Sequence, residues 1–472
     1  MTAAIVWFRR DLRLEDNPAL DAALRAHASV VCAYVHAPAE EAPWQPGAAS
    51  RWWLHRSLQA LEASLRKRGA SLHIARGPTV TALDRLIAAT GARAVYWNRL
   101  YEPALIARDV RIKQRLRERG VEAQSFNANL MVEPWDVRTR EGGPYKVFTP
   151  FWRSVRASLQ PSPPIPAPRR IPAHATDRGV ALDALRLLPR ERWERGLESA
   201  WQPGEAGALE ALCRFRDDAL AGYRDDRDRP DLAGTSALSP HLHFGEIGPR
   251  QIIWPLLRES TASERVRSAA DAYIRELGWR EFSHHLLYHF PHTTERNLNP
   301  RFDAFPWAGD EPLAVRRWQL GETGIPIIDA GMRQLWSTGW MHNRVRMLVA
   351  SFLTKNLRQH WLHGARWFWD TLVDADLANN TQGWQWTAGS GADAAPYFRI
   401  FNPVTQAERF DPEGAYVRRW VPELAATPAS IIQQPWKDPS AHGGNYPEPM
   451  LDLRATRDAA LAAYRSMRGD FG

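Results

Sequence analysis

The sequence predicts a two-part fold, α/β plus all-α. An N-terminal doubly wound parallel five-stranded sheet comes first, and a C-terminal helical domain follows. Three observations predict it. Short apolar runs alternate with amphipathic helical patterns over the first 130 residues. From about Gly204 onward helical periodicity dominates and strand alternation nearly vanishes. Between the two parts, six prolines fall from Pro161 to Pro172, which favours an extended connector. The expected divisions are an α/β domain over 1–130, a linker over 131–205 and a helical domain over 206–472.

The strand runs are Ala4–Phe8, Val30–Val35, Ser71–Ala75, Ala94–Trp97 and Val121–Phe126. Helical spacing lies between them. In Arg51–Arg68, Trp52, Leu58, Leu61 and Leu65 recur on one face and Gly69 sits where a C-cap is expected. Val80–Ala89 ends at Gly91, and Leu105–Arg119 ends at Gly120. The first strand is not followed by G-x-G-x-x-G, so a standard dinucleotide site is not expected there. The second part reads as helices over Ala206–Gly222, Pro240–Leu257, Glu264–Tyr288, Ile325–Ser337 and His342–Leu357.

Composition narrows the class. Of 472 residues, 44% are hydrophobic and 24% charged, which excludes a disordered or fibrous chain. No apolar run approaches the roughly 20 residues of a membrane-spanning helix. Met1 leads straight into a strand pattern without an export signal, so a cytoplasmic protein is expected. Two distant cysteines, Cys32 and Cys213, exclude a disulfide scaffold or a cysteine zinc site. The net charge is +8, and only five of the 61 basic residues are lysine. Arginine recognises phosphates bidentately and stacks on bases, so nucleic acid is admitted as a partner. An arginine-rich coding bias accounts for the composition equally well. Tryptophan is the outlier: 22 residues against 16 Phe and 11 Tyr, more indoles than a core needs. Stacking or electron transfer would use them.

Four stretches could carry chemistry. In GTSALSP, Gly234–Pro240, Ser239 can cap a helix and Pro240 fits its first position. Thr235, Ser236 and Ser239 add hydroxyls that suit a diphosphate, though Ser-Pro caps are common in purely structural roles. In ELGWREF, Glu276, Trp279 and Arg280 share a helix face, either as a base-stacking surface or as an ordinary amphipathic helix. In TGWMHNRVRM, Asn343, Arg344 and Met347 cluster, while Arg346 points elsewhere and can meet a carboxylate. DADLANNTQGWQW holds Asp374, Asp376, Asn379, Asn380, Trp384 and Trp386. No His or Cys at ligand spacing stands beside its two aspartates, so no metal is expected. His284 and His285 are adjacent, face different ways and read as structural. There is no G-x-S-x-G, no Walker A and no H-E-x-x-H.

Together with WFRRDLRLEDNPAL, YKVFTPFW and GSGADAAPYFRIFNP, these motifs stand in an order that closely resembles the DNA photolyase/cryptochrome family. Within it the chain resembles a class I enzyme for cyclobutane pyrimidine dimers, a deoxyribodipyrimidine photo-lyase. The resemblance implies an antenna domain and a helical domain that holds FAD, active in its reduced, anionic form. It assigns Tyr223, Thr235, Ser236, Leu238, Ser239, Tyr273, Arg280, Arg346, Asp374, Asp376 and Asn380 to the flavin, with Arg346 paired to Asp374 and Asn380 beside the redox-active ring nitrogen. It assigns Glu276, Trp279, Asn343, Arg344, Met347, Trp386 and Gln406 to the flipped-out dimer. It also implies an electron-hopping chain of Trp384 beside the flavin, Trp361 midway and Trp307 near the surface.

Two departures matter. Ala237 stands where many relatives carry a basic residue. Ala104 and Leu105 replace the Asn-Glu pair of folate-binding relatives, so the expected second chromophore stays open between a folate, a deazaflavin, another flavin and none. The implied partner is UV-damaged DNA, with the protein a monomer that needs no membrane and no obligatory protein partner. The competing reading is a cryptochrome-like blue-light photoreceptor. Met347 and the short tail after FRIFNP favour repair. A flavin-containing DNA-binding protein without photochemistry is a third reading, against which Asn380 and the tryptophan series stand.

Overall fold

Strand β1 (Ala3–Phe8) is buried along its whole length because it lies between two parallel neighbours. It pairs with β2 (Ser29–His36) on one side and β4 (Ala94–Asn98) on the other. Strands β3 (Leu72–Arg76) and β5 (Glu122–Phe126) complete the order β3-β2-β1-β4-β5. All five predicted strands form, and the sheet is parallel throughout. Ile5, Trp7, Val31, Val95 and Trp97 point to one face and pack against Leu83, Leu86, Ile112 and Leu116 of the covering helices. The computed structural model describes residues 3–160, 162–189, 193–259, 263–309, 311–394, 398–442 and 444–469. Pro161 of the proline run and residues 395–397 of the GSGADAAPYFRIFNP stretch lie outside the described residues.

Four helices connect the strands: α1 (Pro18–Ala26), α2 (Ala48–Arg66), α3 (Thr79–Thr90) and α4 (Pro103–Glu118). The last three match the predicted patterns. α1 was not predicted. Its signal is Asn17-Pro18: the Asn17 side chain accepts the Leu20 N–H at 3.1 Å, and Pro18 opens the helix. Gly91 caps α3 in the left-handed region, φ +64°, as expected. Gly69 does not cap α2 directly. Lys67 holds that position and Gly69 turns the chain two residues later, φ +83°.

The contacts divide the chain into two compact units. The first comprises residues 1–145, 149–221 and 236–291; the second comprises 146–148, 222–235 and 292–472. Within the first, the linker stretch also adds backbone pairing to the sheet. Val30 N–H donates to Pro172 O at 2.8 Å and Val180 N–H to Ile74 O at 2.8 Å. The arginine of the RRDLRLED motif explains its own place there. Arg13 is fully buried and donates to the carbonyls of Gly245, Asp16 and Ala128 at 2.8–2.9 Å.

The predicted helix Pro240–Leu257 is two helices, Ser239–His243 and Pro249–Glu259. Gly245 breaks it: its φ is +62°, and a Cβ there would lie 2.1 Å from the Arg10 carbonyl oxygen. The predicted helices Ala206–Gly222 and His342–Leu357 each end in a wide turn. Leu220 N–H reaches back to Phe215 O, and Leu357 N–H to Phe352 O.

The second unit is helical. Trp318, Ile328, Val345, Val349, Leu353 and Trp361 are among its buried side chains. Among the described residues no helix is long and apolar enough to cross a membrane.

Candidate functional site

The residues singled out in the sequence fall into two sets, one in each unit. In the first unit, Tyr273 and Ser236 meet: the Tyr273 hydroxyl donates to Ser236 Oγ at 2.8 Å. Ser236 Oγ also accepts the Leu238 N–H at 3.3 Å, which closes a tight turn. Ala237 between them has φ +53°, an uncommon backbone for alanine. Burial pushes the Tyr273 phenol up to about 12, so it stays protonated and can donate.

The expected Ser239 cap is not formed. The helix begins at Ser239 itself, Leu238 holds the cap position without a side-chain bond, and Ser239 is exposed. The tight turn at Ala237 sets this register, and Pro240 keeps its first-turn place. The helix has five residues, and the side-chain groups at this turn are hydroxyls.

Glu276, Trp279 and Arg280 lie on helix Glu264–His289 and are half-buried, as the spacing predicts. Trp279 stands edge-on to Phe282 at 6.0 Å. Gly278 beside it is required, because a Cβ would come 2.4 Å from the Trp152 ring. Arg280 turns to the loop after β5 and donates to Asn129 O at 2.6 Å. His284 and His285 are structural, as read: each ring holds a backbone carbonyl, of Arg280 and Pro134.

The second unit carries the larger set. Arg346 and Asp374 pair as the resemblance implied: Nη2 spans the two carboxylate oxygens at 3.1 and 2.8 Å. Its Nε donates to Met341 O at 2.7 Å, which fixes the guanidinium. Arg344, on another face of the same helix, pairs with Asp228 at 2.8 Å and lies over the Phe410 ring at 4.5 Å. Met347 is half-buried and Asn343 exposed. His342 caps this helix through Nδ1, and its buried Nε2 has no partner among the described residues.

Asp376 caps helix Leu377–Ala388, accepting the Asn379 N–H at 2.9 Å. One turn on, Asn380 is buried and its Nδ2 donates to Ala365 O at 2.9 Å. No described residue donates to its Oδ1, so that oxygen is able to accept from a ligand N–H. Asn380, Asp374, Asp376 and Arg346 thus form a donor and acceptor set that fits a flavin. Tyr223 is buried nearby in sequence to Arg227, whose guanidinium lies 5.6 Å over its ring. Thr235 is half-buried. Trp386 is half-buried with the Arg399 guanidinium 5.8 Å away, and Gln406 sits on helix Pro403–Phe410.

The three tryptophans of the implied series differ in exposure. Trp384 and Trp361 are 2% and 0% exposed, and Trp307 is half-buried. Trp384 packs on helix Trp361–Thr371 at Gly364, where a Cβ would meet its ring at 2.0 Å. Trp361 Nε1 donates to Asn297 Oδ1 at 3.1 Å. Sequence reasoning missed Asp228, Ala365 and Gly364, the last two on helix Trp361–Thr371, which was not predicted.

A second chromophore would be sought where the strand order reverses, at the carboxyl ends of β1 and β4. That edge is filled by the chain's own ions. Arg9 pairs with Asp109 at 2.6 Å, and Arg10 with Glu41 at 2.7 Å and with Glu102. Arg9 and Arg108 both lie over Trp7, at 4.6 and 4.9 Å. A planar ring bound at that edge would have to displace these ion pairs. Among the described residues no cluster of three or more His, Cys, Asp or Glu could hold a metal.

Two family descriptions match: "DNA photolyase" over residues 4–169 and "FAD binding domain of DNA photolyase" over 273–466. A deoxyribodipyrimidine photo-lyase of Agrobacterium fabrum is 46% identical over 98% of each chain.

The chain belongs to the DNA photolyase/cryptochrome family.

Cryptochrome-1 of Arabidopsis thaliana is 40% identical over 95% of this photolyase-family chain and 68% of its own. The crystal structure of a bacterial class III photolyase from Agrobacterium tumefaciens matches with TM-score 0.94 and 45% identity, covering 99% of this chain and 98% of that one. The expectation of class I finds no support in that neighbour, which is described as class III. The two-part fold is that of the family, and the flavin of this family is FAD.

Proposed function

We propose that this chain repairs cyclobutane pyrimidine dimers in DNA under blue light, by lending one electron to a flipped-out dimer and taking it back. Bound reduced FAD supplies the chemistry: excited by light, it is a strong one-electron reductant, and the electron's return leaves no net redox change. The observation that carries the reading is Asn380, a buried neutral amide whose Nδ2 is held by Ala365, so that its Oδ1 would be the atom offered to a ring N–H. A neutral acceptor binds a ring N–H without adding a like charge to an anionic ring.

Arg346 and Asp374 hold each other, so the carboxylate is presented in one orientation. Asp374 and Asp376 would be the acceptors for the ring edge and the ribose. The resemblance assigns Ser236, Thr235 and the Tyr273 phenol to the diphosphate, and Tyr223, Leu238, Ser239 and Arg280 to the flavin, as residues that would hold it. By the resemblance, Trp279 and Trp386 would offer π-faces to the dimer, Glu276 and Asn343 would meet its polar edges, and Arg344, Met347 and Gln406 are assigned to the dimer as well. Photolyases are a standing example of enzymes that take their target out of the stack, so eversion is taken over from the class. Trp384, Trp361 and Trp307 would serve as the stepwise route by which electrons reach an oxidised flavin. Of the second chromophores the resemblance implies, the ion pairs at the β1/β4 edge argue against a deazaflavin there, which leaves a folate beside FAD.

The competing reading, a signalling photoreceptor, is favoured by the 40% identity to the plant cryptochrome. One assay separates them. Reduced holoprotein is mixed with a dimer-bearing oligonucleotide, and restored thymine is measured in blue light and in darkness. Light-dependent restoration supports repair. A light-induced structural change without restoration supports the photoreceptor.

A further inference from the structure

The outer half of the tryptophan series contains a fourth ring. His360 immediately precedes Trp361 and caps its helix, its Nδ1 accepting the Leu362 N–H at 3.2 Å. That bond leaves the proton of the neutral ring on Nε2. The imidazole touches both indoles, with centroids 5.1 Å from Trp307 and 5.6 Å from Trp361.

The surrounding chain holds this arrangement from both sides. Arg358 adopts φ +49°, rare for a residue with a side chain, and its carbonyl accepts the Ala308 N–H at 2.8 Å. Gln359 Nε2 donates to Gly309 O at 3.1 Å. Two bonds therefore clamp the Trp307 loop onto the segment that carries His360.

We infer that His360 is the bridge between Trp361 and Trp307, coupling the two indoles when its ring is neutral and blocking the step when it is protonated. The inference rests on the tryptophan relay proposed above. In the step, one electron leaves Trp307 and fills the vacancy on oxidised Trp361. His360 gains and loses nothing. No proton has to move, because the Trp361 N–H is held by the Asn297 carboxamide oxygen, too weak a base to take it. An imidazolium between two sites that carry the positive charge in turn would oppose each of them.

The geometry also favours the neutral ring. Protonation of Nδ1 would break the helix cap. Burial lowers the imidazole below its usual range, with His363 one turn along acting the same way and Asp303 opposing. Asp303 is itself held by Asn297 Nδ2 at 2.7 Å. Arg358, two residues back on the same segment, is the nearest basic side chain in sequence.

The test is flash photolysis of holoprotein carrying oxidised flavin, reading the yield of flavin photoreduction. His360→Asn keeps a cap acceptor and removes the ring; the yield is expected to fall about tenfold. His360→Phe keeps a ring that cannot protonate; its yield is expected to stay near wild type and flat from about pH 7 to about pH 5, while the wild-type yield falls. Flavin content and melting temperature report folding for each variant. A His360→Asn protein with wild-type yield overturns the bridge, and so does a folded His360→Phe protein as slow as His360→Asn. Trp307→Phe separates this from the relay: a normal yield there removes the relay and the bridge with it, whereas a slow Trp307→Phe beside a normal His360→Asn removes the bridge alone.

Discussion

Asn380 Nδ2 donates to the Ala365 carbonyl at 2.9 Å, so one helix aims the amide carried by its neighbour. Asn380→Asp loses that donor and places a carboxylate where an acceptor beside an anionic ring is needed. A like charge a few ångströms away costs on the order of a few kcal/mol. The flavin midpoint potential is expected to fall and repair to drop by more than about tenfold. Potentiometry and the repair assay check both.

Trp279 projects from a helix that Gly278 lets close on Trp152. Trp279→Ala is expected to weaken binding of dimer-bearing DNA by about 1–3 kcal/mol, the scale of one base–aromatic stack. Binding to undamaged DNA should change much less. A fluorescence titration against both oligonucleotides checks this, and equal losses on both would take Trp279 out of the pocket.

Glu281 is buried next to the loop after β5, accepting the Met131 N–H at 2.9 Å. Burial pushes its carboxyl from the ordinary 4.5 up to about 7. The folded state therefore holds this proton more tightly than the unfolded chain. Its contribution is fully present below about pH 4.5 and is lost as pH rises towards about 7, on the order of 3 kcal/mol across the window. Urea unfolding of wild type and Glu281→Gln at the two ends of that window checks it; the substitution should remove that part of the slope.

Arg9, Arg10, Asp109 and Glu102 fill the edge where β1 and β4 diverge. Protein supplied with excess free flavin or deazaflavin is expected to retain FAD alone at one per chain. Chromophore released by denaturation and quantified by absorbance checks the ratio. A second tricyclic ring lost on Arg10→Ala would contradict the filled edge.

The parallel sheet was legible because its strands are continuous apolar runs separated by periodic helices with glycine stops. α1 was not, since nine residues give too little periodicity to stand out. The break at Gly245 was hidden for another reason: it depends on the Arg10 backbone, far away in sequence. Each of the four motifs falls on or at the start of a helix. They could not show that Ser239 leaves the cap to Leu238, because that register is set by the backbone of Ala237. Pairings such as Asp228 with Arg344 join stretches whose spacing carries no periodic signal.

The central claim is that an everted dimer takes an electron from the light-excited flavin of this chain. The fluorescence lifetime of the reduced holoprotein, measured with and without a dimer-bearing oligonucleotide, tests it most directly. Shortening by the damaged strand, and not by an undamaged strand of the same sequence, is the expected result. An identical lifetime with saturating damaged DNA would contradict it.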